Sequence, residues 1–255
     1  MSSPYADLQR PPLRGRALAR ALAPDGWRVE VLARCGSTNA VVAERARAGE
    51  PAGLVVVAEQ QDAGRGRLGR TWVSPPRAGL TLSVLLRPQL PLERWTWLPL
   101  WGGVAVARAL REQAAVDAVL KWPNDVLVGG RKIAGLLAEV PAPGAFVLGL
   151  GLNVSTTREE LPSAATSLVL AGATTSERDT LLRAVLRGLG DVLAESSPDG
   201  YRALCATLGQ HVRVELPGGD AVEGVAEAVD DAGRLVVSGQ PYEVGDVVHL
   251  RAAGG

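Results

Sequence analysis

Two periods of apolar residues run through this chain, and they divide it into helices and strands. Leu13 to Ala23 carries apolar residues at helical spacing and stops at Pro24-Asp25-Gly26, which predicts a short helix after a disordered lead of 12 residues. Arg28 to Leu32 reads as a strand, and Ala40 to Ala48 as a helix capped by Ser37 or Thr38 and closed by Gly49. The β-branched run Gly53 to Glu59 and the apolar run Leu80 to Leu86 read as buried strands around a Gly/Arg loop. Leu92 to Gln113 has helical spacing, with Pro99 as its candidate break. Ala118 to Trp122, Asp125 to Val128, Ile133 to Val140 and Ala145 to Val154 read as strands, and Gly129-Gly130 marks a hairpin between the second and third. Leu181 to Leu193 and Tyr201 to Leu208 are amphipathic helices. Because strands and helices come in clusters, the predicted class is α+β, a mixed sheet with helices packed on one face.

After Gly209 the texture changes to short strands, His211 to Leu216, Ala221 to Val229, Arg234 to Val237 and Asp246 to Leu250, separated by Gly- and Asp-bearing turns. The size and turn density predict an SH3-like β-barrel docked on a larger unit. The expected organisation is therefore a lead with a short helix (1–27), a main domain (28–208) and a small barrel (209–255).

Composition narrows the function. With 47% hydrophobic and 21% charged residues over 255 positions, the chain has the balance of a globular protein. Its longest uncharged apolar run, Trp95 to Ala107, has 13 residues, too few to cross a bilayer. No secretory leader is legible, so the cytoplasm is the expected compartment. Cys35 and Cys205 lack Cys-x-x-Cys spacing and read as two buried thiols. Net charge is zero, yet Ala63 to Leu92 holds five arginines and no acid, whereas Gly209 to Gly255 holds eight acids against three arginines. An anion would approach the first stretch. Of the 27 basic residues only Lys121 and Lys132 are lysines, and both fall in one segment, as a site wanting a compact ammonium would require. The two histidines, His211 and His249, lie in the last segment, which excludes a catalytic triad or a His-ligated metal in the main domain.

Four segments concentrate chemistry. Gly64, Gly66 and Gly69 satisfy the spacing of a dinucleotide fingerprint, but Pro75 and Pro76 follow where that fingerprint opens a helix. The alternative is a glycine loop presenting the guanidinium forks of Arg65, Arg67 and Arg70 to phosphate or carboxylate, with Trp72 as a stacking face. Lys121-Trp-Pro-Asn-Asp125 and Lys132 face each other across the predicted hairpin, where Asp125 could hold Mg²⁺ or, with Asn124, simply form a turn. Ser37, Thr38 and Asn39 sit at a helix N-terminus, suited to a small polar ligand or to capping alone, and Gly149 to Asn153 would let a ligand approach a strand closely. There is no Walker-type phosphate loop, and a His-free basic site fits adenylyl transfer as well as any phosphoryl transfer.

In this order, GSTN (36–39), GRGRLGRTW (64–72), KWPNDV (121–126), GRKIAGLL (130–137) and GLGLNV (149–154) resemble the motif set of the biotin protein ligases. The resemblance runs from about Arg28 through the C-terminal segment, including Gly245 to His249, and implies a fold like that of class II aminoacyl-tRNA synthetases. It implies that biotin and ATP form biotinyl-5′-AMP and pyrophosphate, and that a lysine of a biotin carboxyl carrier domain then takes the biotinyl group. It assigns Lys132, Arg65, Arg67 and Lys121 to catalysis, and Ser37, Thr38, Asn39, Gln61, Arg65, Gly66, Arg67, Lys132 and Gly135 to biotin. ATP or the adenylate would meet Arg65, Arg67, Arg70, Trp72, Asn124, Lys132 and Asn153, with Asp125 as the Mg²⁺ ligand. About 27 residues precede the first catalytic strand, so no DNA-reading domain is expected, and no membrane partner. The rival readings are a lipoate-type ligase and a biotin-binding regulator without chemistry.

Overall fold

The structure is a computed structural model that describes residues 10–73, 75–216, 218–243 and 245–250. In chain order the main elements are α1 (Gly15–Leu22), β1 (Arg28–Leu32), α2 (Thr38–Arg47), β2 (Leu54–Ala58), β3 (Gly79–Leu86), α3 (Trp97–Ala114), β4 (Ala118–Lys121), β5 (Asp125–Val128), β6 (Arg131–Ala142), β7 (Ala145–Asn153), α4 (Arg178–Glu195), α5 (Asp199–Leu204) and β8 (His211–Glu215). They continue through β9 (Ala221–Val229), β10 (Leu235–Val237), β11 (Gln240–Tyr242) and β12 (Asp246–His249). The first seven strands form one mixed sheet in the order β1-β2-β3-β7-β6-β5-β4, with β1 and β2 parallel and the other pairs antiparallel.

Alternating side chains decide which layer covers which face. On β2, Val55 and Val57 enter a large core with Leu18 of α1, Leu98 and Val106 of α3 and Leu186 of α4. Leu54 and Val56 point the other way, into a smaller cluster with Val42, Ala43 and Ala46 of α2 and with Leu85, Ala145 and Val147. The expected packing of helices on one face holds for α1, α3 and α4, while α2 stands on the opposite face. That helix covers only part of the sheet, and the remainder of its face carries glycines.

Pro99 breaks nothing, because the helix begins at Trp97 and places the proline in the first turn, where no intrahelical acceptor exists for its missing N–H. The preceding residues 92–94 form a separate 3₁₀ turn. Gly129 and Gly130, with φ of 56° and 73°, make the predicted tight turn between β5 and β6.

Two expectations change near the chain ends. Residues 10–12 are tied down: Arg10 pairs with Glu160 at 2.7 Å, and Arg178 Nη2 donates to Pro11 O at 2.6 Å. The rest of the expected lead, residues 1–9, lies outside the described residues, as do 251–255. The last five strands form an antiparallel sheet in the order β11-β10-β9-β8-β12. No ladder joins β11 to β12 among the described residues, so the module is barrel-like and open rather than closed. Sequence reasoning missed β11, which carries Pro241. The module docks through the turn at 230–233, whose carbonyls accept from indoles: Trp97 Nε1 to Asp231 O at 2.8 Å and Trp122 Nε1 to Gly233 O at 3.0 Å.

Candidate active site

A cleft lies on the α2 face of the sheet, between the N-terminus of α2, the loop 64–72 and β12. Its floor is made by glycines. Gly135 pairs with Gly151 across β6 and β7, and Gly149 lies two residues along the same strand face. Each bare position seats a different side chain. A Cβ on Gly149 would stand 2.2 Å from Asn39 Oδ1, one on Gly151 2.3 Å from Trp72 Cε2, and one on Gly135 2.9 Å from Lys132 Cε. The glycines thus admit the protein's own functional side chains, where the sequence reading expected the ligand to approach the strand.

At one end, Ser37 occupies the N-cap position of α2 without a capping bond of its own. Gln61 supplies the acceptor instead, its Oε1 receiving the Thr38 N–H at 2.8 Å and the Thr38 hydroxyl at 3.0 Å. Ser83, at the centre of β3, lies 2.8 Å from Thr38 Oγ1 and 2.5 Å from Asn39 Oδ1. Sequence reasoning missed Ser83, one of two hydroxyls in the run Leu-Thr-Leu-Ser-Val-Leu-Leu; the other, Thr81, donates to Ala58 O at 2.9 Å.

The middle of the cleft belongs to Lys132. Register shifts between Val126 and Leu127 in the β5–β6 ladder, so that Ile133 is the extra residue beside Lys132 and Ala134. Such a bulge re-aims neighbouring side chains. The Lys132 backbone is clasped by residues 164–166, its N–H donating to Ala164 O at 3.0 Å and its carbonyl accepting from Thr166 N at 2.8 Å. Its Nζ lies 2.6 Å from Asp125 Oδ1 and 5.9 Å from the Trp72 ring centroid. Asp125 pairs directly with Lys121 across β4 and β5. Lys121 does not line the cleft. Burial lowers its pKa, an effect that Asp125 opposes and the nearby charge of Lys132 reinforces.

At the far end, the loop is a hairpin closed by Gly66 N to Arg70 O at 2.7 Å and Trp72 N to Gly64 O at 2.9 Å. No helix opens at Gly69, which removes the dinucleotide reading; residues 67–69 form one 3₁₀ turn and Arg70 is extended. Arg67 donates to Asn124 Oδ1 at 3.2 Å and to Gly245 O at 3.4 Å, and burial lowers its pKa. Arg70 pairs with Asp246 of β12, and Arg65 with Glu139 at 3.1 Å. The basic loop thus meets the acid-rich module that the charge distribution set apart. Asp246 lines the cleft and was not anticipated.

Two predicted residues are engaged by other groups of the protein, although Asn124 also lines the cleft. Asn124 is spent on structure, its Nδ2 donating to Leu136 O at 2.9 Å while its Oδ1 receives Arg67. Asn153 does not line the cleft; its Nδ2 donates to Thr166 O at 3.0 Å. Asp125 is engaged with Lys132, and among the described residues no cluster of three or more His, Cys, Asp or Glu stands close enough to hold a metal. The donor set does not fit a resident metal cage. Cys205 is buried as expected, whereas Cys35 is only half-buried. No helix among the described residues is long and apolar enough to cross a membrane.

A mixed sheet whose bare glycine face joins a buried polar pocket, a lysine and an arginine loop is suited to hold a small polar ligand beside an anionic group. Residues 31–154 match the Biotin/lipoate A/B protein ligase family, and residues 207–250 match the Biotin protein ligase C terminal domain. The biotin--[acetyl-CoA-carboxylase] ligase of Mycobacterium tuberculosis is 45% identical over 96% of this chain and 98% of its own length. The chain belongs to the biotin protein ligase family. Among solved structures, the Aquifex aeolicus biotin protein ligase in complex with biotin and ATP superposes with a TM-score of 0.71 at 27% identity, over 88% of this chain and 99% of that one. The Leishmania major enzyme in complex with biotinyl-5-AMP gives 0.62 at 30% identity, over 88% of this chain and 98% of that one.

Proposed function

We propose that this chain is a biotin--[acetyl-CoA-carboxylase]-type ligase, which joins biotin to a lysine of a biotin carboxyl carrier domain in two ATP-dependent steps. The observation that carries this reading is Lys132 Nζ, set over the glycine floor between the buried polar pocket and the arginine loop. In the first step a biotin carboxylate oxygen attacks the α-phosphorus, the bond to the β-phosphate oxygen breaks, and pyrophosphate leaves. In the second, the carrier amine attacks the acyl carbon of the mixed anhydride, loses a proton, and AMP departs. Both transition states place negative charge on oxygens, so fixed cations, rather than a nucleophilic side chain, are what the chemistry needs.

Ser37, Thr38, Asn39 and Gln61 take the biotin head group, and Lys132 bridges its carboxylate and the α-phosphate. Asp125 holds Lys132 in place. Arg65, Gly66, Arg67 and Arg70 close over the triphosphate, and Trp72 stacks on the adenine. Gly135 leaves room for Lys132, while Lys121 acts through Asp125 as part of the positive field. Asn124 and Asn153 act mainly as braces, the first for Arg67 and the second for the 164–168 segment beside Lys132. Mg²⁺ enters with the nucleotide as MgATP rather than in a protein cage. Residues 28–208 form the catalytic unit and 209–255 the module that anchors the loop.

The relatives support this reading, one by its name and two by the biotin, ATP or biotinyl-5-AMP bound to them. The test is pyrophosphate release from MgATP on adding biotin, with lipoate in parallel. Biotin-dependent release is expected; release with lipoate alone would transfer the chain to the lipoate reading, and biotin binding without release would make it a regulator.

A further inference from the structure

Four oxygens lie in a row beneath the cleft. Gln61 Oε1, Thr38 Oγ1, Ser83 Oγ and Asn39 Oδ1 are separated in turn by 3.0, 2.8 and 2.5 Å. Amide oxygens only accept, so the row holds two protons, those of the Thr38 and Ser83 hydroxyls, for three contacts. Gln61 Oε1 already receives the Thr38 N–H, and Ser83 is fully buried at 0% exposure, out of reach of bulk solvent. With the Thr38 hydroxyl donated to Gln61, the one Ser83 proton serves both the Thr38 and the Asn39 contacts. Seating Asn39 this low depends on Gly149, which pairs with Ser83 across β3 and β7.

We infer that Ser83 is a positioning residue for the urea ring of biotin. It acts by turning the Thr38 hydroxyl and the Asn39 carboxamide so that an acceptor-rich row faces the ring N–H groups. A cyclic urea brings two N–H donors, one on each side of its carbonyl, which is what a row short of protons takes. The inference rests on the assignment of the biotin head group to this end of the cleft. Ser83 itself does not line the cleft and touches the ligand only through Thr38 and Asn39.

The experiment compares the full chain with Ser83→Ala and Ser83→Thr. Biotin affinity is read by calorimetry without nucleotide, kcat and the KM for MgATP by pyrophosphate release at saturating biotin, and stability by Tm. Loss of one hydroxyl from a buried network is worth on the order of 1 kcal/mol, so Ser83→Ala should weaken biotin binding about five- to tenfold. The KM for MgATP and kcat should stay within about twofold, and Ser83→Thr, which restores the hydroxyl, should recover most of the affinity. Discrimination against biotin methylated on a ureido nitrogen should narrow in Ser83→Ala. Unchanged biotin affinity in Ser83→Ala overturns the inference. So does a parallel fall of Tm, kcat and both affinities, which would mark a purely structural hydroxyl. Failure of the unsubstituted chain to bind biotin is seen before any substitution, and it overturns the underlying functional reading instead.

Discussion

At one end of the cleft Ser37, Thr38, Asn39 and Ser83 are each at most 7% exposed, and the last three interlock through hydrogen bonds on a rigid sheet. At the other end Arg65 and Arg70 leave 52% and 63% of their side chains exposed and pair with carboxylates from Glu139 of β6 and Asp246 of β12. The first arrangement is preorganised: its polar groups were removed from water on folding, and a ligand finds them already aimed. The second is held by solvated ion pairs, each worth about 0–1 kcal/mol, which a triphosphate can replace at little cost. A site that must recognise one small ring and then enclose a highly charged nucleotide gains from both. Lys132 stands at the junction, where the two substrates must react.

The sharpest way to break this comparison is Lys132→Ala. If the junction is electrostatic, biotin-dependent pyrophosphate release should fall by at least about 100-fold, with Tm little changed, because Lys132 lies on the cleft surface rather than in the core. Near-normal turnover would remove the residue from the mechanism. Next comes Gly149→Ala, whose new Cβ would meet Asn39 Oδ1 at 2.2 Å, against Gly66→Ala, where the nearest atom is 3.5 Å away. Calorimetry should show biotin affinity falling by about tenfold or more in the first and little in the second. Equal losses would mean that the buried end is no more rigid than the loop.

A smaller effect is expected from Asp246→Asn, which loosens Arg70 without touching the buried pocket. The KM for MgATP should rise about two- to fivefold while biotin affinity holds, and the difference should shrink in high salt. The smallest effect concerns His249. Its Nε2 shares a hydrogen bond with Thr207 Oγ1 at 3.1 Å, and Thr207 Oγ1 also receives the Trp122 N–H, so the ring knits β12 to the catalytic unit. Burial, aided by the charge of Lys121, lowers its pKa below the usual 6.5. A folded-state pKa depressed in this way makes protonation favour unfolding, so no stability is lost above pH 6.5, and it declines as pH falls below that value. Thermal melts from pH 8 to pH 5 should show that decline flattened in His249→Gln.

What the sequence made legible follows the range of the forces involved. Strands with β-branched runs, the Gly129-Gly130 turn and the arginine loop declare themselves within a few residues, so they were read close to their observed bounds. Contacts that join distant segments did not. The side of the sheet taken by α2 depends on which alternate residues of β2 and β7 meet Val42, Ala43 and Ala46. Gln61 as the remote cap of α2, Asp246 in the cleft and the clasp of residues 164–166 around Lys132 all arise from chain crossings that no local pattern encodes. The glycines of β6 and β7 were noticed as places of close approach. That Asn39, Trp72 and Lys132 would fill them could be seen only once the strands were paired. Ser83 shares its apolar strand with a second hydroxyl, Thr81, and no local pattern tells which of the two supports the cleft.

The central claim, that this cleft activates biotin and passes it to a carrier lysine, is tested most directly by the intact mass of a biotin carboxyl carrier domain after incubation with the protein, MgATP and biotin. The account predicts one biotinyl adduct that requires both substrates, disappears with Lys132→Ala and does not form a lipoyl counterpart. An unmodified carrier despite tight biotin binding, or a lipoyl adduct of equal yield, would contradict it.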